Sequence, residues 1–436
     1  MPKPFTVLLG KAVRQAARLR GGGSALPGLF VEHIDPSFVP STLGQLQHGV
    51  VVISGTNGKT TTTKMVVSLL ESQGLKVFTN RTGSNFVRGV AAALLGEVDT
   101  KGILHADIAV LELDEAHAVK FVEIVKPRYS LLLNVMRDQL DRFGEIDATA
   151  RMLEKIALAT TNTVVLNRED NRVKNIANNL TGGTAVQYFG LSEQLKHLFP
   201  NDDELHKKSQ PSKKVANSKK NTTKTEPNEE KSLVTLKDFN EKGAAFIVAG
   251  KSFVTPLRLK GVYNIYNSAA ALALARVIAP DASINSLLGA LSTVTPAFGR
   301  GETLTVDGQP FELVLVKNPS GFRLGLESYS PKGYATMIAV NDNYADGRDM
   351  SWLWDVDFTS LSGNKIYTTG IRAYDIALRL QYDEIDIERV ETDLSNALAD
   401  FINAHKDSPK RVYCTYTAML AIRKELSKIT RVEVVS

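Results

Sequence analysis

The sequence predicts an α/β protein with a doubly wound, mainly parallel sheet in a central domain and a second α/β unit towards the C-terminus. Two observations carry this prediction. Strands and helices alternate from Gly49 to about Gly190 and again beyond residue 300, and the first strand runs through a glycine-containing loop into a helix. At 436 residues, with 43% hydrophobic and 23% charged residues, the chain has the composition of a multidomain globular protein.

The predicted strands are short apolar segments. In the central domain they are Val50–Ile53, Lys76–Thr79, Ile108–Glu112, Tyr129–Asn134 and Thr163–Asn167. An alanine-rich helix is predicted at Tyr263–Ile278. In the C-terminal unit we predict strands at Phe311–Val316, Thr336–Val340, Lys365–Thr368 and Arg411–Thr415, and helices around Asp375–Gln381, Asp393–His405 and Thr417–Leu426.

Changes in composition along the chain predict its domain boundaries. We expect a short N-terminal segment at 1–47, a central domain at 48–298 and a C-terminal domain at 299–436. Residues 199–231 are rich in Lys, Glu, Asn, Ser and Thr and hold almost no large apolar side chain. This composition predicts a mobile insertion within the central domain.

The N-terminal segment contains a short basic amphipathic helix. Leucine, valine and alanine residues of 1–22 alternate with five basic residues, Lys3, Lys11, Arg14, Arg18 and Arg20. Two roles stay open for this helix. It either packs on the next domain or contacts anionic lipid headgroups at the inner face of a membrane.

Composition also excludes several classes of protein. No apolar run approaches the length of a transmembrane helix, and the N-terminus lacks a secretory h-region, so we expect a cytoplasmic protein. The single cysteine, Cys414, excludes an internal disulfide framework and a cysteine-rich zinc site. The net charge of +5 and pI near 9.0 fit an anionic ligand or a membrane surface, and nothing in the sequence indicates a nucleic-acid partner.

The segment after the first strand is a candidate phosphate-binding loop. Glycines let its backbone wrap closely around anionic oxygens, and the following helix N-terminus favours phosphate. Lys59 is expected to reach the terminal phosphates of a nucleotide, and Thr60 to ligate Mg²⁺. The candidate nucleotide-binding residues here are Gly55, Thr56, Asn57, Gly58, Lys59, Thr60 and Thr61.

Polar residues follow three further strands. Glu112 ends one strand and is our candidate for a carboxylate ligand of Mg²⁺. Asn134 follows the next strand, and Asn167 and Asp170 follow the one after it. The carboxyl ends of parallel strands gather ligands, so these residues predict contacts to the adenine and ribose of a nucleotide.

These motifs resemble the central domain of Mur ligases. The resemblance extends to Gly261–Ala269, which contains Asn267, and to Phe298–Glu302, which contains Arg300. It implies a Mur ligase-like fold with a Rossmann-like C-terminal domain, ATP and Mg²⁺ as cofactors, and nucleotide contacts from Asn267 and Arg300. Mur ligases activate a carboxylate with ATP and join it to an amine.

Departures from the common Mur ligase pattern point to one subfamily. Gln139 and Lys317 stand where Mur ligases usually have histidine, and the N-terminal domain is reduced to residues 1–47. The segment Asp342–Asp355 contains Asp-Gly-Arg-Asp followed by two tryptophans. Together these features resemble the MurT family, synthetase subunits of lipid II isoglutaminyl synthase.

The MurT resemblance implies a specific reaction. It implies ATP-dependent amidation of the α-carboxylate of D-glutamate in the lipid II stem peptide, through an acyl phosphate, in a heterodimer with a GatD-type glutaminase that supplies ammonia. Lys59, Glu112 and Asp349 are then the candidate catalytic residues. Asp349 would orient the catalytic histidine of the partner, with Asp346 and Asp355 as alternatives, although ordinary turn chemistry also explains this segment.

Two features separate this chain from parts of these families. Many MurT proteins carry a four-cysteine zinc ribbon, but the insertion here has no cysteine, so we predict no structural zinc. The carbamoylated lysine of Mur ligases falls by spacing near Leu153, close to Lys155, and is not assigned. Cys414 is predicted to lie inside a buried strand, which leaves the chain without a glutaminase nucleophile of its own.

Two other functions remain open from the sequence. The first is a stand-alone Mur or folylpolyglutamate-type amino-acid ligase, which would work without a second protein. The second is a non-catalytic nucleotide-dependent scaffold, which would bind ATP without turnover. Substitution of Lys59 separates a scaffold from an enzyme, because only an enzyme loses amide formation while its assembly with a partner persists.

Overall fold

A computed structural model describes residues 3–19, 26–80, 86–136, 146–180, 182–199, 231–240, 242–259, 261–295, 300–328 and 331–432. The chain divides into two compact units. The first takes the described residues of Met1–Met136, Ala150–Pro256 and Tyr266–Leu291, and the second takes those of Arg137–Thr149, Leu257–Ile265 and Ser292–Ser436. The boundaries predicted from composition remain a prediction.

The first unit begins with three helices and continues as alternating strands and helices. The N-terminal helices are α1 Pro4–Leu19, α2 Leu26–Ile34 and α3 Phe38–Leu43. The alternating part is β1 Val50–Ser54, α4 Lys59–Glu71, β2 Val77–Thr79, α5 Val87–Glu97, β3 Ile108–Glu112, α6 Glu115–Ile124, β4 Tyr129–Leu132, α7 Ile146–Ala159 and β5 Thr163–Asn167. It is followed by α8 Asn171–Lys174, β6 Ala185–Leu191, β7 Val234–Asn240, β8 Gly243–Val248, β9 Lys251–Pro256, α9 Val262–Ile278 and α10 Ile284–Thr293.

The strands of the first unit form one sheet in the order β2-β3-β1-β4-β5-β6-β7-β8-β9. Pairing is parallel from β2 through β7 and antiparallel for β8 and β9. Every residue of β1, β3, β4 and β5 is buried, as expected for a parallel sheet covered by helices on both faces. The chain turns to one side of β1 for β2 and β3 and to the other for β4 to β6. The carboxyl end of β1 is therefore a topological switch point, where ligands bind in such sheets.

The three N-terminal helices pack on α5. Helix α2 makes the most extensive contact, and α1 lies against both α2 and α5. Gly28 permits this packing, because a Cβ built there would lie 1.8 Å from the backbone oxygen of Arg88. A larger side chain at this position would force the two helices apart.

The second unit is a separate α/β layer structure. Its elements are β10 Arg300–Val306, β11 Gln309–Leu315, α11 Pro319–Ser328, β12 Ala335–Ala339, β13 Ile366–Thr369, α12 Ala373–Tyr382, β14 Ile387–Glu391, α13 Leu394–Ala404, β15 Lys410–Cys414 and α14 Tyr416–Leu426. The sheet order is β10-β11-β15-β12-β13-β14, with β10 antiparallel and the other pairs parallel.

Two hydrophobic clusters cover the two faces of this second sheet. Val412 of β15 belongs to the cluster that includes Phe401, whereas Tyr413 points into the cluster that includes Phe322 and Trp352. Alternate residues of each strand enter opposite clusters, as strand geometry requires. A sheet with helices on both faces results.

The predicted α/β fold class with mainly parallel sheets is confirmed. Strand β4 ends at Leu132, so Asn134 lies in the following loop instead of the strand predicted there. Helices α2 and α3, strand β14 and strands β7 to β9, which are joined by antiparallel pairing, were not predicted. Residues 200–230 of the predicted mobile insertion lie outside the described residues.

Candidate active site

The loop between β1 and α4 has the backbone of a phosphate-binding loop. Gly55 and Gly58 have φ angles of 135° and 90°, which non-glycine residues rarely adopt. A Cβ on Gly58 would lie 2.1 Å from Asn267 Nδ2, and one on Gly55 would lie 3.0 Å from the backbone nitrogen of Asn134. Both positions therefore require glycine, and the N-terminus of α4 directs its backbone amides towards the space that the loop encloses.

Asn134 fixes the shape of this loop. Its Oδ1 accepts a hydrogen bond from the backbone N–H of Asn57 at 2.9 Å, and its Nδ2 donates to the backbone oxygen of Asn57 at 3.0 Å. The backbone N–H of Thr56 donates to the backbone oxygen of Asn134 at 3.0 Å, and Met136 N–H donates to the Thr56 hydroxyl at 3.1 Å. The loop after β4 thus holds the phosphate loop in place before any ligand binds. We predicted a nucleotide contact for Asn134, and that contact remains a prediction.

Lys59 is buried at the start of α4 and surrounded by negative charge. Its Nζ donates to the backbone oxygen of Gly55 at 2.7 Å and lies 3.2 Å from Asp114 Oδ1 and 3.6 Å from Glu115 Oε2. The side chains of Lys59 and Glu115 are 7% and 4% exposed. The acidic motif after β3 thus supplies two partners for Lys59 that the sequence did not assign. The sequence signal that could have identified Asp114 and Glu115 was their position just after Glu112 at the end of a predicted strand.

Thr60 and Glu112 lie together as predicted for a magnesium site. The Thr60 hydroxyl donates to Glu112 Oε1 at 2.7 Å. Asn80, which the sequence analysis missed, fixes the end of β3 by accepting from the Glu112 N–H at 3.0 Å and donating to the Glu112 backbone oxygen at 2.8 Å. A hydroxyl and one carboxylate are oxygen ligands of the type that Mg²⁺ takes alongside water and phosphate oxygens.

Asn267 provides an independent test of whether the site fits a nucleotide. Its side chain is 2% exposed, and its Nδ2 has no hydrogen-bond partner within the part of the chain that the structure describes. The hydroxyl of Thr61 is also buried and has no hydrogen-bond partner among the described residues. Leaving a buried donor unpaired costs about 1–3 kcal/mol. Nδ2 lies beside Gly58, so a phosphate oxygen held by the loop would be within reach of this donor. The residues present therefore fit a bound triphosphate.

Asn167 and Asp170 connect the loops that follow β4 and β5. Asp170 accepts hydrogen bonds from the backbone N–H of Val135 at 2.7 Å and from two backbone amides of α8. Burial raises the pKa of this carboxyl group despite those bonds. Asn167 donates to the backbone oxygen of Leu133 at 2.7 Å and accepts from the Tyr266 hydroxyl at 2.5 Å. These contacts give both side chains a role in shaping the site, and their predicted contacts to adenine and ribose remain a prediction.

Two predicted parts of the site lie outside the described residues. The Arg300 side chain is one, although its backbone begins β10. Residues 137–145, which include Gln139, are the other. Among the described residues, no group of three or more His, Cys, Asp or Glu side chains is arranged to hold a metal ion.

The candidate aspartates of the second unit lie in different surroundings. Asp346 is 4% exposed, and its carboxylate accepts from the backbone N–H of Asn343 at 3.1 Å, the backbone N–H of Thr417 at 2.7 Å and the Thr417 hydroxyl at 2.5 Å. Asp355 is half-buried, and its backbone oxygen accepts from Arg323. Asp346 therefore connects its loop to the first turn of α14.

Asp349, by contrast, presents its carboxylate at the surface. One carboxylate oxygen accepts from the backbone N–H of Ser351 at 2.9 Å. Hydrogen bonds from the Ser351 side chain and backbone hold the pKa of Asp349 below its usual value. The group is therefore an exposed, ionised acceptor at neutral pH, held in orientation by the short turn that follows it.

Large apolar side chains of the second unit are exposed in the Asp342–Asp355 segment and on two helices. Asp342 follows β12, and its ion pair with Arg372 at 2.8 Å holds the segment against the start of α12. The Trp354 and Tyr382 rings lie 5.1 Å apart in an edge-to-face contact. We define the C-terminal apolar surface as the exposed residues Tyr344, Trp354, Ile371, Tyr374, Leu378, Tyr382, Tyr416 and Leu420. Several large exposed apolar side chains in one unit are typical of a surface that binds another protein.

Cys414 does not have the surroundings of a nucleophile. It is fully buried in β15, its Sγ lies 3.8 Å from the backbone oxygen of Val314, and burial raises the pKa of the thiol. A thiolate is therefore strongly disfavoured at neutral pH. The prediction that this cysteine lies in a buried strand is confirmed.

The first unit has the fold and loop of a nucleotide-dependent enzyme. A phosphate loop lies at the switch point of a parallel sheet, with a lysine at the helix start and a threonine–glutamate pair beside it. These are the parts that position phosphates and a metal ion for phosphoryl transfer. The class defined by fold and site is a P-loop enzyme that acts on phosphoryl groups.

Comparisons with known proteins identify the family. The model of the Mur ligase middle domain matches residues 53–275, and that of the MurT ligase C-terminal domain matches residues 315–419. Subunit MurT of the lipid II isoglutaminyl synthase (glutamine-hydrolyzing) of Streptococcus pneumoniae is 31% identical over 97% of this chain and 96% of its own length. The corresponding protein of Staphylococcus aureus strain COL is 29% identical over 90% of each chain.

A solved structure has the same fold at lower sequence identity. The MurF ligase of Thermotoga maritima in complex with ADP superposes with a TM-score of 0.64 at 17% identity, covering 90% of this chain and 81% of that one. The chain belongs to the MurT family of Mur ligases. The predicted resemblance is therefore confirmed, and so is the predicted enzyme class, an ATP-dependent carbon–nitrogen ligase of peptidoglycan biosynthesis.

Proposed function

We propose that this chain is the synthetase subunit that amidates the α-carboxylate of D-glutamate in the lipid II stem peptide to D-isoglutamine. ATP supplies the driving force, and a GatD-type glutaminase partner supplies ammonia. The similarity over nearly the whole length of a named MurT subunit supports this assignment. The observation that carries it is the buried Asn267 Nδ2 beside Gly58, because this donor next to the phosphate loop has no hydrogen-bond partner among the described residues.

The proposed amidation proceeds in two steps. A carboxylate oxygen of the substrate attacks the γ-phosphorus of ATP, ADP leaves, and an acyl phosphate forms. Ammonia then attacks the acyl carbon, phosphate leaves, and the nitrogen loses a proton to give the amide. Lys59 and the amides at the start of α4 would stabilise the charge on the transferring phosphoryl group.

The magnesium ion has a defined pair of candidate ligands. Thr60 and Glu112 would hold it, and when bound it neutralises charge on the phosphate oxygens. Asn80 keeps Glu112 oriented through its two hydrogen bonds to the backbone of that residue. We propose Asn134, Asn167, Asp170, Asn267 and Arg300 as the further nucleotide-binding residues, with no structural zinc.

The ammonia supply requires a second protein. Common glutaminases use an activated cysteine, and the single cysteine of this chain is buried in β15. Asp349 is the exposed carboxylate that best fits the orientation of a partner's histidine, because both carboxylate oxygens of Asp346 accept hydrogen bonds within the chain. The C-terminal apolar surface around it supports docking of the partner at this edge of the sheet.

The proposed substrate lies in a membrane. Within the described residues, no helix has the length and apolar character needed to cross a bilayer. A peripheral association with the inner face of the membrane is therefore part of the proposal, with the protein itself in the cytoplasm.

A reconstituted reaction tests the proposal. The chain and the partner glutaminase are purified together and incubated with lipid II, ATP and glutamine, and the stem peptide is analysed by mass spectrometry. We expect its mass to fall by about one dalton, because the hydroxyl of the glutamate α-carboxyl group is replaced by an amino group, with ADP formed in equal amount. An unchanged stem peptide, or product formed with an amino acid in place of ammonia, would refute the proposal.

Ammonium salt in place of glutamine provides the control. The chain alone should then amidate lipid II, because the partner is needed only to release ammonia. Activity with ammonium but none with glutamine would contradict the proposed interaction with the glutaminase partner. The proposed synthetase reaction would still be supported.

A further inference from the structure

The outward face of α1 is apolar. Phe5, Leu8 and Leu9 are 74%, 54% and 36% exposed, and Ala12 and Ala16 are exposed on the same helix. Residues 5, 9, 12 and 16 are spaced three and four apart and therefore share one side of the helix. Phe5, Leu8 and Leu9 thus face away from the unit that carries the helix.

The inward face of α1 is made of small side chains. Val7, Gly10 and Ala17 are buried. A Cβ built on Gly10 would lie 2.7 Å from Val31 of α2 and 2.8 Å from Leu95 of α5, so the helices are in close contact there. Packing on the rest of the unit, one of the two roles open from the sequence, therefore uses this face and leaves the larger apolar face without a partner among the described residues.

Helix α2 also exposes apolar side chains. It lies against α1, and its Leu26 and Leu29, three residues apart, are 53% and 41% exposed. We define the N-terminal apolar face as Phe5, Leu8, Leu9, Leu26 and Leu29. Exposed apolar side chains concentrated on two neighbouring helices indicate an interaction surface more strongly than single exposed leucines do.

The charges of the N-terminal segment indicate what kind of surface binds this face. Residues 1–31 contain five Lys or Arg residues and no Asp or Glu. Lys3 is exposed, whereas Lys11 donates to the backbone oxygen of Val98 at 2.6 Å and so fixes α1 on the end of α5. A second copy of the chain would bring two such cationic segments together, and Glu32 at the end of α2 already pairs with Arg88 at 2.7 Å, so this contact is unfavourable. An anionic phospholipid surface satisfies both the apolar side chains and the positive charge.

We propose that the N-terminal apolar face docks on an anionic phospholipid surface, with α1 in the plane of the headgroups. This inference rests on the proposed function in one respect, because a lipid-borne substrate places the enzyme at such a surface. Phe5, Leu8 and Leu9 then enter the boundary between headgroups and acyl chains, while Lys3 meets the phosphates.

Vesicle co-sedimentation of the full chain tests this docking directly. The probes are vesicles of phosphatidylglycerol mixed with phosphatidylcholine, and vesicles of phosphatidylcholine alone, both without lipid II. We expect binding to the mixed vesicles, and a decrease of about tenfold or more in the partition coefficient for the double variant Phe5→Gln, Leu8→Gln. Lys3→Gln should lower it about fivefold, and this effect should disappear at high salt.

A matched control separates this face from general surface hydrophobicity. Val254 of β9 is 79% exposed, and Val254→Gln should leave vesicle binding unchanged. Glutamine is a good helix former and the replaced side chains are exposed, so the double variant should fold as wild type, which circular dichroism checks.

Three results would overturn the proposal: no binding to anionic vesicles, equal binding to phosphatidylcholine alone, or vesicle binding that persists in the double variant. A dimer of the free chain that the double variant converts to monomer would assign the face to a second copy instead. None of these results depends on catalysis. Amidation of a water-soluble stem peptide by the double variant separately tests whether the proposed function holds when the docking fails.

Discussion

The phosphate loop of the first unit and the Asp349 segment of the second are constructed in opposite ways. Lys59 is almost fully buried, and its ammonium contacts a backbone oxygen and two carboxylates. Asp349 is exposed, and one neighbouring turn orients its carboxylate. A loop that binds a small anionic ligand is built from buried, mutually bonded groups, because it must exclude water and hold charge in place. A carboxylate that acts on another protein must be at the surface, next to apolar area that can bind that protein.

The largest expected effect comes from the exposed carboxylate. Asp349→Asn should lower the glutamine-hydrolysing activity of the complex by about 10⁴-fold, because an amide stabilises the wrong tautomer of a partner histidine. ATP binding and ammonium-dependent amidation should stay at wild-type levels, since Asp349 is not among the proposed nucleotide- or magnesium-binding residues. Glutamate release from glutamine, measured in the purified complex, checks the result.

Asp357 offers a matched control for that variant. It is also exposed, it accepts from the backbone N–H and hydroxyl of Thr359 at 2.9 Å and 2.6 Å, and its pKa is also lowered by these hydrogen bonds. Asp357→Asn should leave glutamine hydrolysis unchanged. Equal losses in the two variants, or none in either, would remove the special role of Asp349.

Replacement of the buried cation should have the second largest effect. Lys59→Met should lower amidation by about 10³-fold, because it removes a charge that acts on the transferring phosphoryl group. Co-purification with the partner should be unaffected. Phosphate release with ammonium as nitrogen source measures the loss, and Lys64→Met, an exposed change on the same helix, is the control. A Lys59→Met protein that keeps its activity would contradict the proposed nucleotide site.

Two asparagines of the first unit separate ligand binding from stability. Asn267→Ala should weaken ATP binding by roughly 10- to 150-fold, the range for a hydrogen bond to a charged group. Asn134→Ala should also lower the free energy of unfolding of the free protein by about 1–3 kcal/mol, because its side chain makes two hydrogen bonds to the phosphate loop.

The free protein should lose distinctly less stability in the Asn267 variant, since Nδ2 has no partner there within the described residues. Calorimetric titration with a non-hydrolysable ATP analogue and urea denaturation give the two quantities. Equal losses of stability would show that Asn267 is part of the framework and not a ligand contact.

The smallest expected effect concerns the C-terminal apolar surface. Tyr374→Ala should weaken the affinity for the partner about tenfold, as is typical for a buried aromatic residue at a protein interface. The rate of ammonium-dependent amidation should not change. Surface plasmon resonance measures the affinity, and Val254→Ala, which changes an exposed apolar residue of the first unit, should have no effect.

The sequence located those parts of the site that are continuous along the chain. The buried strand, Gly55, Gly58 and Lys59 form one strand–loop–helix segment, and local spacing sufficed to predict them. Glu112 was predicted from its place at a strand end, and the structure brings it to Thr60. Asn80 and Glu115 were missed, because nothing in the local sequence reveals which strand ends become neighbours when the sheet forms.

Local patterns also left the direction of side chains open. The spacing of apolar residues predicted the helix at the N-terminus but not that Phe5 and Leu8 would face outward. Asp170 fitted a ribose contact by position, whereas the structure shows its carboxylate accepting backbone hydrogen bonds from α8 and the loop after β4. In each case the local sequence pattern was compatible with several different contacts of the side chain.

By itself the sequence determined the fold class, the phosphate loop and the family, because these depend on periodicity and on residues close together in the chain. Tertiary structure alone decided that Asn267 lies beside Gly58, that Lys59 lies between two carboxylates, and that Asp346 is buried while Asp349 is exposed. The physical reason is that the burial and pairing of a side chain depend on which distant segments of the chain come into contact. Spacing along the sequence does not specify those contacts.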